Sequence, residues 1–472
     1  MQDHVESLLY KPLNIWNQMN QETKNEAYRF CEDYISFLNA AKTEREAVDV
    51  MVAALKREGF QSFEKIISGE IKPVPGLKIY SVNRKKALTA AVLGKQHPVC
   101  GFRMLGAHLD SPRLDFKPNP LYEENGLALA KTHYYGGIKK YQWVAIPLSI
   151  HGVVIKKDGT SVTISIGEKE SDPVFTITDL LPHLAGDQMR KEANAFIPAE
   201  NLNIVMGSIP YAGDEEGLSG SLKLTVLEML YTQYGICERD FVSAEIEVVP
   251  AFPARDIGID RSMIGGYGQD DRVCAYTAMR ALTDMREIPE YTAVCYFSDK
   301  EEIGSVGITG ARSRSFENFI IELCYAYDPE TPELTARRCL SASRFLSADV
   351  TAAYDPTFGD VSEKNNAAYF GRGIALEKYT GSRGKSGASD ADAELVYEIT
   401  SLFDQHQIPW QMSELGKTDQ GGGGTIAQYM ADLNIAVLDC GVPVLSMHAP
   451  FELTSKADVY WTYQAYLRFI KG

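Results

Sequence analysis

The apolar run TAVCYF (292–297) leads through Ser298-Asp299-Lys300 directly into two adjacent glutamates, Glu301 and Glu302. Neighbouring side chains on a strand point to opposite faces. Both carboxylates can therefore serve one site only where the strand has ended and the backbone turns. Open α/β sheets bind their ligands at such carboxyl ends, where residues far apart in sequence converge. The punctuation recurs: GAHLDSP carries His108 and Asp110, GQDDRV carries Asp270 and Asp271, LSADV carries Asp349 and LSMHAPFE carries His448.

Residues 20–41 are patterned as a helix, and TEREAVDVMVAALKREGF follows with the capping-box spacing Thr43 to Glu46 and Gly59 as a stop signal. LKIYSV, ALTAAVLG and GFRMLGAHLD are short, apolar and bounded by turn residues, which predicts three strands. Between 111 and 250 the texture becomes β-rich, with strands joined by an Asp158-Gly159 hairpin turn. After FPARDIGIDRSMIGGYGQ the alternation resumes: a helix from about Arg272, then strands TAVCYF, IIELCYAY and IAVLDC. The expected fold is α/β, a mostly parallel sheet sandwiched by helices and built from residues 1–110 and 251–472, with 111–250 as an inserted β-rich domain.

A chain of 472 residues is too long for one simple core, which favours two or more domains. At 45% hydrophobic and 23% charged, it has no run of eighteen apolar residues, so no membrane span is expected. The opening MQDHVESLLYKPLNIW has no basic segment followed by a long apolar one, and a cytoplasmic protein is the expectation. A net charge of −16 argues against a nucleic-acid partner. Eight cysteines are scattered without a CxxC pair, which predicts reduced, buried thiols and no cysteine zinc site.

The strand-end residues make the inventory of a dinuclear metal centre: two imidazoles, three carboxylates, one of them bridging. In that arrangement His108 serves one ion, His448 the other, Asp270 bridges, and Glu302 and Asp349 contribute one carboxylate each. Asp110, two residues after His108, is placed to order that imidazole. With Glu302 on metal, Glu301 is left to move a proton. Each motif alone is ordinary, since an HxD or an adjacent Glu pair is usually solvated or salt-bridged. Asp271 with Arg272 alone would read as the charged first turn of a helix. The ordered set carries the reading, whereas His133, His151 and His406 have no such partners. GKTDQGGGGTIA (416–427) is either a flexible surface loop or one whose backbone approaches a ligand.

At these residues the chain resembles the dinuclear zinc aminopeptidases, most closely the aspartyl aminopeptidase and aminopeptidase I family, the eighteenth metallopeptidase family. GAHLDSP resembles its first ligand motif, DKEEIGS its base-plus-ligand motif, SADV its second aspartate and VPVLSMHAPFE its final histidine motif, in family order over nearly the whole chain. The resemblance implies metal ligands His108, Asp270, Glu302, Asp349 and His448, with Glu301 as general base and Asp270 preferred to Asp271 as the bridge. It implies two divalent ions per subunit, zinc first, with cobalt and manganese suited to the same donors. LLPHLAGD resembles the segment whose histidine completes a neighbouring subunit's site, which implicates His183 in trans. A homododecamer assembled through the inserted domain is implied as well. In place of the acidic-substrate branch's asparagine-glutamine-arginine-tyrosine run stands EKYTGSRGKSGASDAD, so Lys378, Arg383 or Lys385 is left to meet an acidic side chain. The glycine run, with Gly424 and Thr425, resembles the substrate-side loop. The expected activity is removal of N-terminal residues from peptides. An N-acyl amino acid deacylase or dipeptidase on the same scaffold, and a non-catalytic shell protein, are the alternatives.

Overall fold

The computed structural model describes residues 8, 13–213 and 220–472; positions 1–7 and 9–12, which hold most of the N-terminal stretch considered above, lie outside them. The helix Gln21–Ala40 is capped by Asn20, whose side chain accepts from the Thr23 N–H at 2.9 Å. The helix Glu44–Arg57 starts with the reciprocal capping box of Thr43 and Glu46.

Nine strands form the largest sheet. At its centre Thr292–Ser298, Phe102–His108, Arg344–Ser347 and Ala436–Gly441 lie side by side and parallel. All seven residues of Thr292–Ser298 are buried, and they alternate between two cores. Ala293, Cys295 and Phe297 pack with the helices Gln21–Ala40, Gln269–Thr283 and Lys456–Lys471. Val294 and Tyr296 pack on the other face with Ser315–Tyr327 and Pro332–Ala342. Burial on both faces is why this strand reads as a continuous apolar run.

Residues 113–250 supply a six-stranded antiparallel sheet with its own core around Trp143, Ile150, Ile204 and Val248. The Asp158-Gly159 turn joins Leu148–Ile155 to Ser161–Ile166. Buried ion pairs tie this sheet to the N-terminal helices: Arg113 reaches Glu44 at 3.2 Å and Glu247 at 3.3 Å, and His151 lies between Glu46 at 2.7 Å and Glu168 at 3.0 Å.

Three features depart from the sequence reading. IIELCYAY lies not in a strand but in the helix Ser315–Tyr327. Its buried residues, Phe316, Phe319, Ile320, Leu323 and Cys324, fall at the helical spacing of three and four, a period visible once the preceding SFENF is included. A five-stranded sheet also appears, ordered Arg255–Ile257, Met263–Gly266, Glu452–Ser455, Pro443–Leu445, Thr351–Ala352. It brings the segments around Asp270, Asp349 and His448 together. Of the eight cysteines, all unpaired, Cys100 and Cys237 are exposed rather than buried.

Candidate active site

The parallel strands end in register. Ser298 is paired with His108, Gly106 with Ser347 and Ser347 with Asp439, so Glu301, His108 and Asp349 emerge at one edge of the sheet. Asp270 arrives from the start of the helix Gln269–Thr283 and is joined to Asp271 by a cis peptide bond. His448 arrives from the loop after Pro443–Leu445. His108 Nε2 lies 3.2 Å from Asp270 Oδ1 and 3.7 Å from Asp349 Oδ1; His448 Nε2 lies 3.1 Å from Asp270 Oδ2 and 3.5 Å from Glu302 Oε1. The two oxygens of Asp270 thus face two different imidazoles.

Each imidazole is oriented from behind by a carbonyl. His108 Nδ1 lies 2.9 Å from the Asp110 carbonyl oxygen and His448 Nδ1 lies 2.9 Å from that of Gly137. An Nδ1–H donated to a carbonyl leaves Nε2 with its lone pair, the usual state of a ligating histidine. Two further carboxylates hold the ligand-bearing backbone. Asp110 accepts from the N–H groups of Glu301 at 3.1 Å and Glu302 at 3.2 Å, and from the Tyr135 hydroxyl at 2.8 Å. Glu452 accepts from the N–H groups of Asp270 at 3.1 Å and His448 at 2.7 Å. Asp271 Oδ2 accepts from the His108 N–H at 3.2 Å.

The cluster calls for positive charge. Asp270 Oδ1 and Glu302 Oε1 are buried and take no well-formed hydrogen bond from any described residue. Burial pushes the Glu301 carboxyl up to about 8, with Asp349, Asp110 and Asp270 adding and His108 opposing. Burial and the nearby Asp270 likewise raise Glu302, and burial raises Asp349. Burial works against protonation of the histidines, yet the surrounding carboxylates prevail: His448 rises to about 10 beside Asp270 and Glu302, and His108 rises beside Asp110, Asp270 and Asp349. Burial would raise Asp270 too, but His108 and His448 hold it low. Imidazole lone pairs aimed at buried carboxylate oxygens are stable only with cations between them or protons upon them. Nitrogen and oxygen donors in this proportion fit divalent metal ions. Ligand atoms of His108, Asp270 and Glu302 lie within 4.8 Å of one another, as do those of His108, Asp271 and Asp349.

The remaining residues singled out in the sequence fall elsewhere. His183 is on an exposed turn and makes no hydrogen bond or ion pair with this cluster within the chain. Lys378 is half-buried and follows the strand Ile374–Glu377; its carbonyl accepts from Ala391, and its ammonium has no partner among the described residues. Lys385 is engaged with Asp390 at 3.1 Å and the Tyr379 ring at 3.8 Å. Gly424 is exposed, whereas the Thr425 hydroxyl donates to Asp439 at 2.6 Å and accepts from the Ala427 N–H at 3.1 Å. Tyr135, Gly137 and Glu452 are the contributors that sequence reasoning missed. Glu452 lies within the quoted LSMHAPFE, four residues after His448; Tyr135 and Gly137 sit in the β-rich segment and carry no signal of their own.

Carboxylates and imidazoles gathered at the carboxyl edge of an α/β sheet, with a separate acid beside them, define a metal-dependent hydrolase. The comparisons narrow the class. Residues 37–470 match the family described as aminopeptidase I zinc metalloprotease (M18). Probable M18 family aminopeptidase 1 of Clostridium acetobutylicum is 47% identical over 468 residues, spanning 98% of this chain and 99% of that protein. The crystal structure of an M18 family aminopeptidase from Thermotoga maritima superposes with a TM-score of 0.92 at 44% identity, covering 98% of this chain and 100% of that one. The yeast mApe1 dodecamer, 21% identical over 96% of this chain and 97% of its own, shares the fold with a TM-score of 0.74. The chain belongs to the M18 aminopeptidase I family of zinc metalloproteases. It is a metallo-aminopeptidase, a hydrolase acting on peptide bonds.

Proposed function

We propose that this aminopeptidase works with two divalent ions: His108 and Asp349 would hold one, His448 and Glu302 the other, and Asp270, which faces both histidines, would serve both. The observation that carries this reading is the pair of distances from Asp270, 3.2 Å to His108 Nε2 and 3.1 Å to His448 Nε2. Bound there, the ions supply Lewis-acid polarisation of the scissile carbonyl and a more acidic water. Glu301, adjacent to a ligand but with its Oε2 4.0 Å from His108 Nε2, takes the proton of the attacking water and returns it to the leaving amine. Asp110 keeps Glu301 and Glu302 in place through their N–H groups.

On the substrate side we place Lys378, whose ammonium has no partner among the described residues, and the segment Gly424–Thr425, whose threonine is anchored to Asp439 and so shapes the loop rather than offering a free hydroxyl. An acidic N-terminal side chain is what Lys378 would favour.

Residues 111–250, which carry the six-stranded sheet, are read as an inserted domain through which copies assemble, with His183 reaching a neighbour's site; the yeast relative is itself a dodecamer. In support, Leu180, Leu181, Leu184 and Met189, close to His183 in sequence, are exposed apolar side chains. No helix among the described residues is long and apolar enough to cross a membrane. A monomeric mass by light scattering would defeat the assembly reading.

The test is a panel of free and N-acetylated aminoacyl chromogenic substrates, run on wild type and Glu301→Gln with chelation, metal add-back and metal counting. We expect chelator-sensitive cleavage of free-amine substrates, two ions per chain, and a Glu301→Gln protein that keeps its metal while kcat falls by about 10²–10⁴. One ion per chain defeats the dinuclear reading, and wild-type turnover in the variant removes Glu301 from the proton role. A panel order indifferent to acidic side chains removes Lys378 from recognition.

A further inference from the structure

The segment Tyr135-Gly136-Gly137 leaves the last residue of the strand Leu127–Tyr135 in the six-stranded sheet and passes behind both halves of the cluster. Its three residues touch three different parts of it. The Tyr135 hydroxyl donates to Asp110 Oδ2 at 2.8 Å, the same carboxylate that holds the N–H groups of Glu301 and Glu302. Gly136 lies against Glu302, where a Cβ would sit 3.3 Å from Glu302 Cβ and 3.4 Å from its Oε2. The Gly137 carbonyl accepts from His448 Nδ1 at 2.9 Å, and a Cβ on Gly137 would sit 3.3 Å from that nitrogen.

Resting on the proposed metal centre, we infer that Tyr135-Gly136-Gly137 is a positioning strap by which the six-stranded sheet completes that centre from within the same chain. Tyr135 fixes the carboxylate beneath the Glu301-Glu302 turn, and Gly137 fixes the ring of His448.

The strap is itself rigidly mounted. Tyr135 is paired in register with Arg113, whose guanidinium stacks on the phenol ring at 4.1 Å while reaching Glu44 and Glu247. Burial, with Asp110 adding, raises the Tyr135 hydroxyl far above its usual range, so it stays a donor. Asp110 is fully buried, and with the Tyr135 hydroxyl gone, Asp110 Oδ2 keeps only the longer bond from Glu302. Partners one step removed from a metal set ligand orientation, and their loss weakens metal binding or turnover by about 10- to 100-fold. The two glycines follow from the same geometry, since side chains there would press on Glu302 and His448. The sheet of residues 113–250 therefore has a part in turnover separate from any part in assembly.

The experiment compares wild type, Tyr135→Phe, Gly137→Ala and, as a control on the exposed neighbouring ring, Tyr134→Phe. Readouts are kcat and KM on a cleaved substrate, metal retained against a graded chelator, and melting temperature. Tyr135→Phe keeps the ring under Arg113, so it should melt near wild type. We expect its kcat and metal retention to fall by about 10- to 100-fold with KM little changed, Gly137→Ala to lose metal more readily, and Tyr134→Phe to match wild type. Tyr135→Phe with Asp110→Asn should be less than additive, because Asp110→Asn disturbs the hydrogen bond to Tyr135 along with those to Glu301 and Glu302. Wild-type kcat and metal retention in both Tyr135→Phe and Gly137→Ala overturn the strap, as do losses that track melting temperature alone. Failure of the wild type on every substrate would count against the aminopeptidase chemistry, whereas metal retention would still report on the strap.

Discussion

Glu301 and Glu302 are consecutive, yet Glu302 Oε1 lies 3.5 Å from His448 Nε2 while Glu301 Oε2 lies 4.0 Å from His108 Nε2. In the proposed assignment that separation of roles would depend on Asp110 beneath the turn, which accepts from both backbone N–H groups, and Glu452 accepts in the same way from Asp270 and His448. Gln at position 452 offers one acceptor and one donor where two N–H groups now point. Glu452→Gln should therefore keep the fold but lose metal about 10- to 100-fold more readily in chelator competition. Unchanged retention would show that the two backbone positions are held without it. The ligand candidates were legible because histidine and carboxylates at the ends of apolar runs stand out by chemistry. Tyr135 and Gly137 were not, because a hydroxyl and a carbonyl acting through Asp110 and His448 leave no mark in the sequence until the chain is folded.

At the scale of elements, cap chemistry was readable and short strands were not. Thr43 and Glu46 bond reciprocally at the start of Glu44–Arg57, as their spacing predicts. Thr43→Ala should cost about 1 kcal/mol, read as a lower melting temperature with activity at low temperature unchanged. A melting curve identical to wild type would mean that tertiary packing alone holds this helix start. IIELCYAY was misassigned because eight residues of dense apolarity show neither period clearly, and only the longer stretch Ser315–Tyr327 resolves the spacing of three and four. The five-stranded sheet escaped notice for a different reason. Its strands are two to four residues long and come from three distant parts of the chain, Thr351–Ala352 among them, so no local pattern announces it. Yet pairing of Gly266 with Glu452 in that sheet is what carries Glu452 to the N–H of Asp270.

For the whole molecule, the question is how the six-stranded sheet stays aligned with the nine-stranded one, since the strap bears on the metal centre only if they do. His151, on Leu148–Ile155, joins them through Glu46 of the helix Glu44–Arg57 and through Glu168, which Lys42 also reaches at 2.9 Å. Ser149 completes the surroundings of its ring at 3.1 Å. Burial opposes the charge on His151, but hydrogen bonds to Glu168 and Glu46 raise it from 6.5 to about 9. A folded-state value above the unfolded one means stability that is complete below pH 6.5 and is lost as pH rises through about 9. The amount at stake is on the order of 3 kcal/mol for a shift of this size, reduced by the desolvation of Lys42, whose own value burial lowers. Melting temperature measured between pH 6 and 10 should fall more steeply in wild type than in His151→Gln, the two curves drawing together at the alkaline end. Glu168, which His151 and Lys42 hold below its ordinary value against the pull of burial, sets the opposite limb, with loss only at acid pH. Parallel curves across the alkaline range would mean that His151 carries no proton at the junction. More of the alignment would then fall to the Glu44, Lys86, Arg113 and Glu247 pairs, which lie on the same helix–sheet boundary.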